Sequence, residues 1–124
     1  MHTIDISNAM EISVDNFQYK ILNADNHLQF SIECKKASFS YSSNDIFLRG
    51  HVILTASNGR RLESNRIKWD VRKHLFRAEG RYVLQAREHR QGGKGIWVDE
   101  KLNIVSGKYV EMNKGKGELC LAKL

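Results

Sequence analysis

The residue types able to do chemistry are scattered through this 124-residue chain. His2, His27, His51, His74 and His89 lie far apart, without the short paired spacing that brings two imidazoles to one metal ion, and no Cys-x-x-Cys accompanies them. Asp70 and Asp99 stand at matching places in two turn-like stretches, which reads as turn chemistry and not as an acid–base pair. Serines and threonines fall in alternating runs or turns, with no small-residue elbow around a nucleophile. Gln91-Gly92-Gly93-Lys94-Gly95 is too short for a phosphate loop and precedes no helix; it is expected to be a mobile loop. Cys34 and Cys120 sit in apolar runs and are expected to be buried packing thiols, with a disulfide left open for an oxidising compartment. No catalytic residue, metal site or cofactor is expected.

What must position these residues is a set of strands. Leu28, Phe30, Ile32 and Cys34 alternate with polar residues, as do Ala37, Phe39 and Tyr41. The same period of two runs through Ile46, Leu48, Val52, Leu54 and Ala56, then Ile67, Trp69 and Val71, then Phe76, Ala78, Tyr82, Leu84 and Ala86. Asn58-Gly59 signals a hairpin, since a type I′ turn needs positive φ at both central residues. The phase slips between Cys34 and Ala37 and between Leu62 and Ile67, so bulges or bends are expected near Lys35-Lys36 and Ser64-Asn65. About eight strands joined as a meander are expected, in one all-β domain over 1–124, with 1–10 a flexible or edge segment.

Twenty Lys and Arg against fourteen Asp and Glu give a net charge of +6, which favours anionic partners. No run has the apolar length of a membrane span, and Met1 to Ile6 lacks a basic stretch followed by an apolar one. Two locations are compatible with this: the cytoplasm, or a compartment reached by means of a segment preceding this sequence.

Three segments superpose. Ala37-Ser38-Phe39-Ser40-Tyr41 leads to Phe47-Leu48-Arg49-Gly50-His51-Val52; Arg66-Ile67-Lys68-Trp69-Asp70 leads to Phe76-Arg77-Ala78-Glu79-Gly80; Gly95-Ile96-Trp97-Val98-Asp99 leads to Ile104-Val105-Ser106-Gly107. Gly50, Gly80 and Gly107 recur at steps of 30 and 27 residues, the mark of stacked units that cannot bury an apolar face alone. In this alignment Phe39, Ile67 and Ile96 share a register position, with Tyr41, Trp69 and Val98 beside them. The glycines are expected to be structural, at bends or close backbone approaches.

This pattern, above all Leu48-Arg49-Gly50-His51-Val52 with Asn58-Gly59, Ile67-Lys68-Trp69-Asp70 and Phe76-Arg77-Ala78-Glu79-Gly80, resembles the OstA-like domains of bacterial lipopolysaccharide-transport proteins, and among them the LptC family. The resemblance covers roughly Ala37 to Met112. It implies a twisted antiparallel β-jelly roll, or β-taco. It further implies a non-enzymatic periplasmic protein of outer-membrane biogenesis in Gram-negative bacteria, tethered to the inner membrane by an N-terminal segment that this chain lacks. Its apolar groove would carry lipid A acyl chains and pass lipopolysaccharide on. The partners would be the inner-membrane transporter complex and the periplasmic bridge, reached by end-to-end strand pairing that would also allow self-association. The groove-lining candidates are Phe39, Tyr41, Leu48, Val52, Leu54, Ile67, Trp69, Phe76, Tyr82, Leu84, Ile96 and Val98. Arg49, Lys68, Arg77, Arg81 and Lys108 have the opposite parity and are expected on a solvated outer face.

Two other readings stand beside this one. The first is an OB-like nucleic-acid-binding domain; it is disfavoured because the aromatics share the apolar parity instead of interleaving with the basic residues. The second is a structural β-module with a sealed interior, acting only through its edges.

Overall fold

The computed structural model describes residues 5–7, 11–40, 42–112 and 119–123. Among these residues there are nine strands: β1 (Asp5–Ser7), β2 (Glu11–Leu22), β3 (Leu28–Ser40), β4 (Asp45–Ala56), β5 (Arg61–Asp70), β6 (Leu75–Ala86), β7 (His89–Asp99), β8 (Ile104–Met112) and β9 (Leu119–Lys123). They form one open antiparallel sheet in sequence order, seven long strands flanked by the short β1 and β9, with no helix among the described residues. The alternating runs become strands because each can bury one face, and the meander follows from the short turns between them.

One expected loop is a strand. Gln91 to Gly95 lies inside β7, where Gln91, Gly92 and Gly93 pair with Leu84, Val83 and Tyr82 of β6. Glycine is a poor strand former by itself, but bonding to a neighbour on each side overrides that tendency. The connection that was expected there is only Arg87-Glu88, with Arg87 at φ 54°.

The hairpin at Asn58-Gly59 also differs in detail. Gly59 has φ +85° and Asn58 is not left-handed, so the type I′ requirement is not met. The Gly59 amide donates to the Ala56 carbonyl at 3.0 Å, which closes a turn through Ser57 and Asn58 before the left-handed Gly59. Three other connections place their left-handed residue likewise, at Asn26, His74 and Leu102. In each, the amide of the left-handed residue donates to the backbone carbonyl three places earlier, at Asn23, Val71 and Asp99. Asp70 Oδ1 accepts from the Lys73 amide, and Asp99 Oδ1 accepts from the amides of Lys101 and Asn103. Asp70 and Asp99 are therefore turn formers.

The bends expected near Lys35-Lys36 and Ser64-Asn65 are present. Register shifts lie between Glu33 and Lys36 and between Ser64 and Ile67. They belong to a line of irregularities crossing the sheet at Lys35, Gly50, Asn65, Gly80 and Gly95, one every 15 residues. β3 and β5 cross this line in three residues between buried positions, Cys34 to Ala37 and Ser64 to Ile67. β4 and β6 take four, Leu48 to Val52 and Ala78 to Tyr82, and the surplus residue is the bulge.

The glycines are not equivalent there. Gly50 has φ +81°, and a Cβ on it would lie 2.7 Å from Lys35 Cβ. Gly107 has φ +146°, and a Cβ would come within 3.0 Å of the Gly95 carbonyl oxygen. Gly80 has neither a left-handed backbone nor an atom within 4 Å of such a Cβ.

The sheet curves far enough to touch itself. On a flat sheet β3 and β6, three strands apart, would be separated by about 14 Å at the usual spacing. Yet the rings of Phe30 and Phe76 are 5.8 Å apart, and Tyr19 of β2 lies 5.6 Å from Trp69 of β5. The core is the concave face, where Ile32, Leu48, Leu54, Leu62, Ile67, Phe76 and Ile96 are shut from water.

Candidate functional site

The concave face carries four cross-strand rows. Ala37, Leu48, Ile67, Ala78, Ile96 and Gly107 form one. Phe39, Ile46, Trp69, Phe76, Val98 and Ile104 form the next. Beyond the bend, Val52, Ser64, Tyr82 and Gly93 make a third, and Ile32, Leu54, Leu62, Leu84 and Gln91 a fourth. This corrects the superposition read from the sequence. Ala37, not Phe39, shares a register position with Ile67 and Ile96, while Phe39 belongs with Trp69 and Val98. A two-residue displacement keeps the face and changes the row, which is why alternation alone did not reveal it.

Of the twelve groove candidates, Leu48, Val52, Leu54, Ile67, Trp69, Phe76, Tyr82, Leu84, Ile96 and Val98 are at most 5% exposed. Phe39 is half-buried against the same core, and Tyr41 lies outside the described residues. The interior they form is filled by side chains.

Aromatics gather toward the β2 side. Phe17 meets Phe39 edge-on at 5.8 Å, Phe30 meets Trp69 at 5.7 Å, and Trp69 stacks on Phe76 at 5.4 Å. Tyr19, 38% exposed, completes the cluster at the margin. Phe17 and Tyr19 precede the superposable segments and Phe30 lies before Ala37, so the repeat did not single them out. The signal available was the alternation Phe17, Tyr19, Ile21, facing Cys34, Ile32 and Phe30 across the β2–β3 ladder. Trp69 Nε1 and Gln91 Nε2, both buried donors in this interior, have no hydrogen-bond partner among the described residues. Leaving such a group unsatisfied costs about 1–3 kcal/mol.

On the side away from the bend, turns from the two ends of the strands meet. Asn58 Nδ2 donates to the Lys101 carbonyl at 3.0 Å. An Arg60 guanidinium nitrogen donates to the Leu102 carbonyl at 3.3 Å and to Asn103 Oδ1 at 2.6 Å. The β4–β5 turn is thus clasped by these polar contacts to the β7–β8 turn, whose Leu102 side chain is buried in the core. Beside this clasp a cleft of about 480 Å³ is lined by Asn23, His27, Phe30, Ser57, Glu100 and Lys101, among others.

The sheet edges are partly unpaired among the described residues. β1 covers only Glu11 to Ser13 of β2, leaving 14–22 open on that side, including exposed Leu22. β9 covers Lys108 to Met112 of β8 and leaves 104–107 open, including exposed Val105.

Burial pushes the Cys34 thiol up, against smaller opposing contributions from the backbones of Arg49 and Lys36, and Sγ donates to the Lys36 carbonyl at 3.4 Å. Cys34 is a free, buried thiol. His51 bonds Glu63 and His74 bonds Glu100, each at 3.1 Å. Among the described residues no three His, Cys, Asp or Glu side chains converge as metal ligands. Arg49, Arg77 and Arg81 are exposed on the convex face and Lys68 is half-exposed; the side chain of Lys108 lies outside the described residues.

No family model matches this chain. A search of the curated proteins finds no match either.

Proposed function

We propose that the protein is a non-enzymatic lipid carrier of the OstA-like type, holding acyl chains of lipopolysaccharide between the two halves of its curved sheet. In this reading the sheet is a twisted β-jelly roll. It works in the periplasm, tethered to the inner membrane through a preceding segment, and hands lipid along by strand addition to partner domains at β2 and β8. The observation that carries the reading is the aromatic-rich concave interior, with the polar clasp at Asn58 and Arg60 along one side.

The magnitudes are compatible with loading through that side. Three clasp bonds contribute about 0.5–1.5 kcal/mol each, so parting them costs about 3 kcal/mol. A twelve-carbon chain gains about 10 kcal/mol gross on burial, at about 0.8 kcal/mol per methylene. The surplus must cover separation of packed side chains, since the interior is filled. A carrier also needs modest net affinity, because a lipid held by several chains at full gain would never leave.

A second reading is favoured by the near-zero exposure of the lining residues: a sealed module that acts only through its open edges. Photocrosslinking to lipopolysaccharide separates the two. The probe is placed at Trp69, on the concave face, and in a second sample at Lys68, on the convex face. An adduct at 69 and not at 68 supports the carrier. Absence of adduct at both positions in a folded protein overturns it in favour of the sealed module.

A further inference from the structure

The convex face carries a cationic ladder that the carrier reading does not use. Lys36 pairs with Arg49 and Arg49 with Arg66, so three cations stand directly opposite one another on β3, β4 and β5. Opposed side chains on neighbouring strands lie about 5 Å apart at Cβ, and like charges so placed destabilise a sheet. All three are exposed, and none forms an ion pair among the described residues.

The adjoining row adds Phe47, Lys68, Arg77 and Trp97, in register across β4 to β7. Trp97 is half-buried on this outer face, with the Lys68 ammonium 5.7 Å and the Arg77 guanidinium 5.4 Å from its ring centre. The acids nearby include Asp15 opposite Lys36, Asp45 at 4.0 Å from Lys68, Asp70 and Asp99 in the row beyond Lys68 and Trp97, and exposed Glu79. Of these acids only Asp45 is within ion-pair distance of any of the five cations among the described residues, and the ladder of Lys36, Arg49 and Arg66 is left without an acidic partner.

We propose that this face docks on an anionic bilayer surface, with Lys36, Arg49 and Arg66 among the lipid phosphates and Trp97 at the headgroup level. Charge complementarity selects an anionic partner, which would relieve the repulsion along the ladder. The rest of the row selects a membrane. Indole, phenyl and long cationic side chains side by side on a sheet face suit the boundary between headgroups and acyl chains. Single-stranded nucleic acid is bound in a groove on open aromatic faces, whereas the Trp97 ring already has two cations against it. The inference is independent of the carrier reading, since it uses only the opposite face.

The test is co-sedimentation of the full chain with vesicles of phosphatidylcholine, alone or mixed with phosphatidylglycerol. Binding is expected only to the mixed vesicles, weakening with salt, with a blue shift of tryptophan emission that Trp97→Phe abolishes. A surface cation contributes about fivefold in affinity, so Lys36→Ala/Arg49→Ala/Arg66→Ala should bind roughly a hundredfold more weakly. Lys20→Ala/Arg87→Ala/Arg90→Ala removes the same charge beyond the bend and should bind nearly as well as the parent. Arg49→Glu places an acid between two cations and should raise the melting temperature while weakening binding, so that its lost binding cannot come from unfolding. Equal loss in the two triple variants, no binding by the parent, or no effect of Arg49→Glu would each overturn the proposal. Displacement from vesicles by oligothymidylate that binds through the same three cations would overturn it in favour of nucleic acid.

Discussion

Three glycine-to-alanine substitutions separate the two physical reasons for a glycine in this sheet. Gly80→Ala meets neither obstacle, because its backbone is not left-handed and nothing lies within 4 Å of the new methyl. It should be neutral or stabilising by up to about 1 kcal/mol, through reduced freedom of the unfolded chain. Gly59→Ala meets one obstacle, φ +85° with open space around it. The left-handed backbone costs about 1–2 kcal/mol, less the same unfolded-state gain, for a net loss of about 1 kcal/mol. Gly50→Ala meets both, since φ is +81° and the methyl would stand 2.7 Å from Lys35 Cβ. Carbon atoms pack best at about 3.5–4.0 Å. Because Lys35 Cβ is fixed to its own backbone, β3 and β4 must move apart, adding about 1–3 kcal/mol to the strain. The net loss at Gly50 should therefore be about 2–4 kcal/mol. Urea unfolding followed by tryptophan fluorescence reads all three as shifts in midpoint at unchanged slope. An equal cost at Gly50 and Gly80, or no cost at Gly50, would refute the account of the bend.

Further outcomes are expected elsewhere. Asn58→Ala/Arg60→Ala should lower stability by about 1–3 kcal/mol and raise lipid labelling at position 69; unchanged labelling in the folded variant would remove the clasp from the loading route. Phe76→Ala should cost about 3–5 kcal/mol in chemical denaturation, against less than about 0.5 kcal/mol for exposed Val105→Ser. Cys34 has its folded-state pKa raised above its ordinary 9.0, so its contribution to stability is whole below that pH and is lost as pH rises through the folded value. Thermal melts should therefore show a steeper loss above pH 9 in the parent than in Cys34→Ala, and a thiol reagent should react with Cys34 slowly until denaturant is added.

What could be read in advance followed the two-residue period. Ile67, Trp69 and Phe76 announced their face by alternation, and the slips at Cys34/Ala37 and Leu62/Ile67 announced the bend. What could not be read depended on contacts between distant strands. The grouping of Tyr19 and Phe30 with Trp69 arises only once the sheet has curved, and no local pattern encodes how far it will curve. The clasp joins Arg60 to Asn103 across 43 positions, between two turns whose own sequences ask only for tight reversal. Gly92 and Gly93 misled in the other direction, because their local preference for a loop yields to the ladders of β6 and β8.

Because the strands lie side by side in the order they are made, the sheet is a succession of hairpins, each needing only its predecessor to close. Ordering can begin at any central hairpin and spread outward, with no distant segments required to find each other first. The same arrangement gives the molecule a gradient of protection: amides of β4 to β7, each held between two long partners, should exchange last, and the outer strands first. A pull applied across the sheet from β1 to β9 would peel it strand by strand like a zip, whereas a pull along one strand would load many bonds at once. A protein of this construction is mechanically weak in one direction and strong in the other, and the direction in which a partner grips it decides which property is felt.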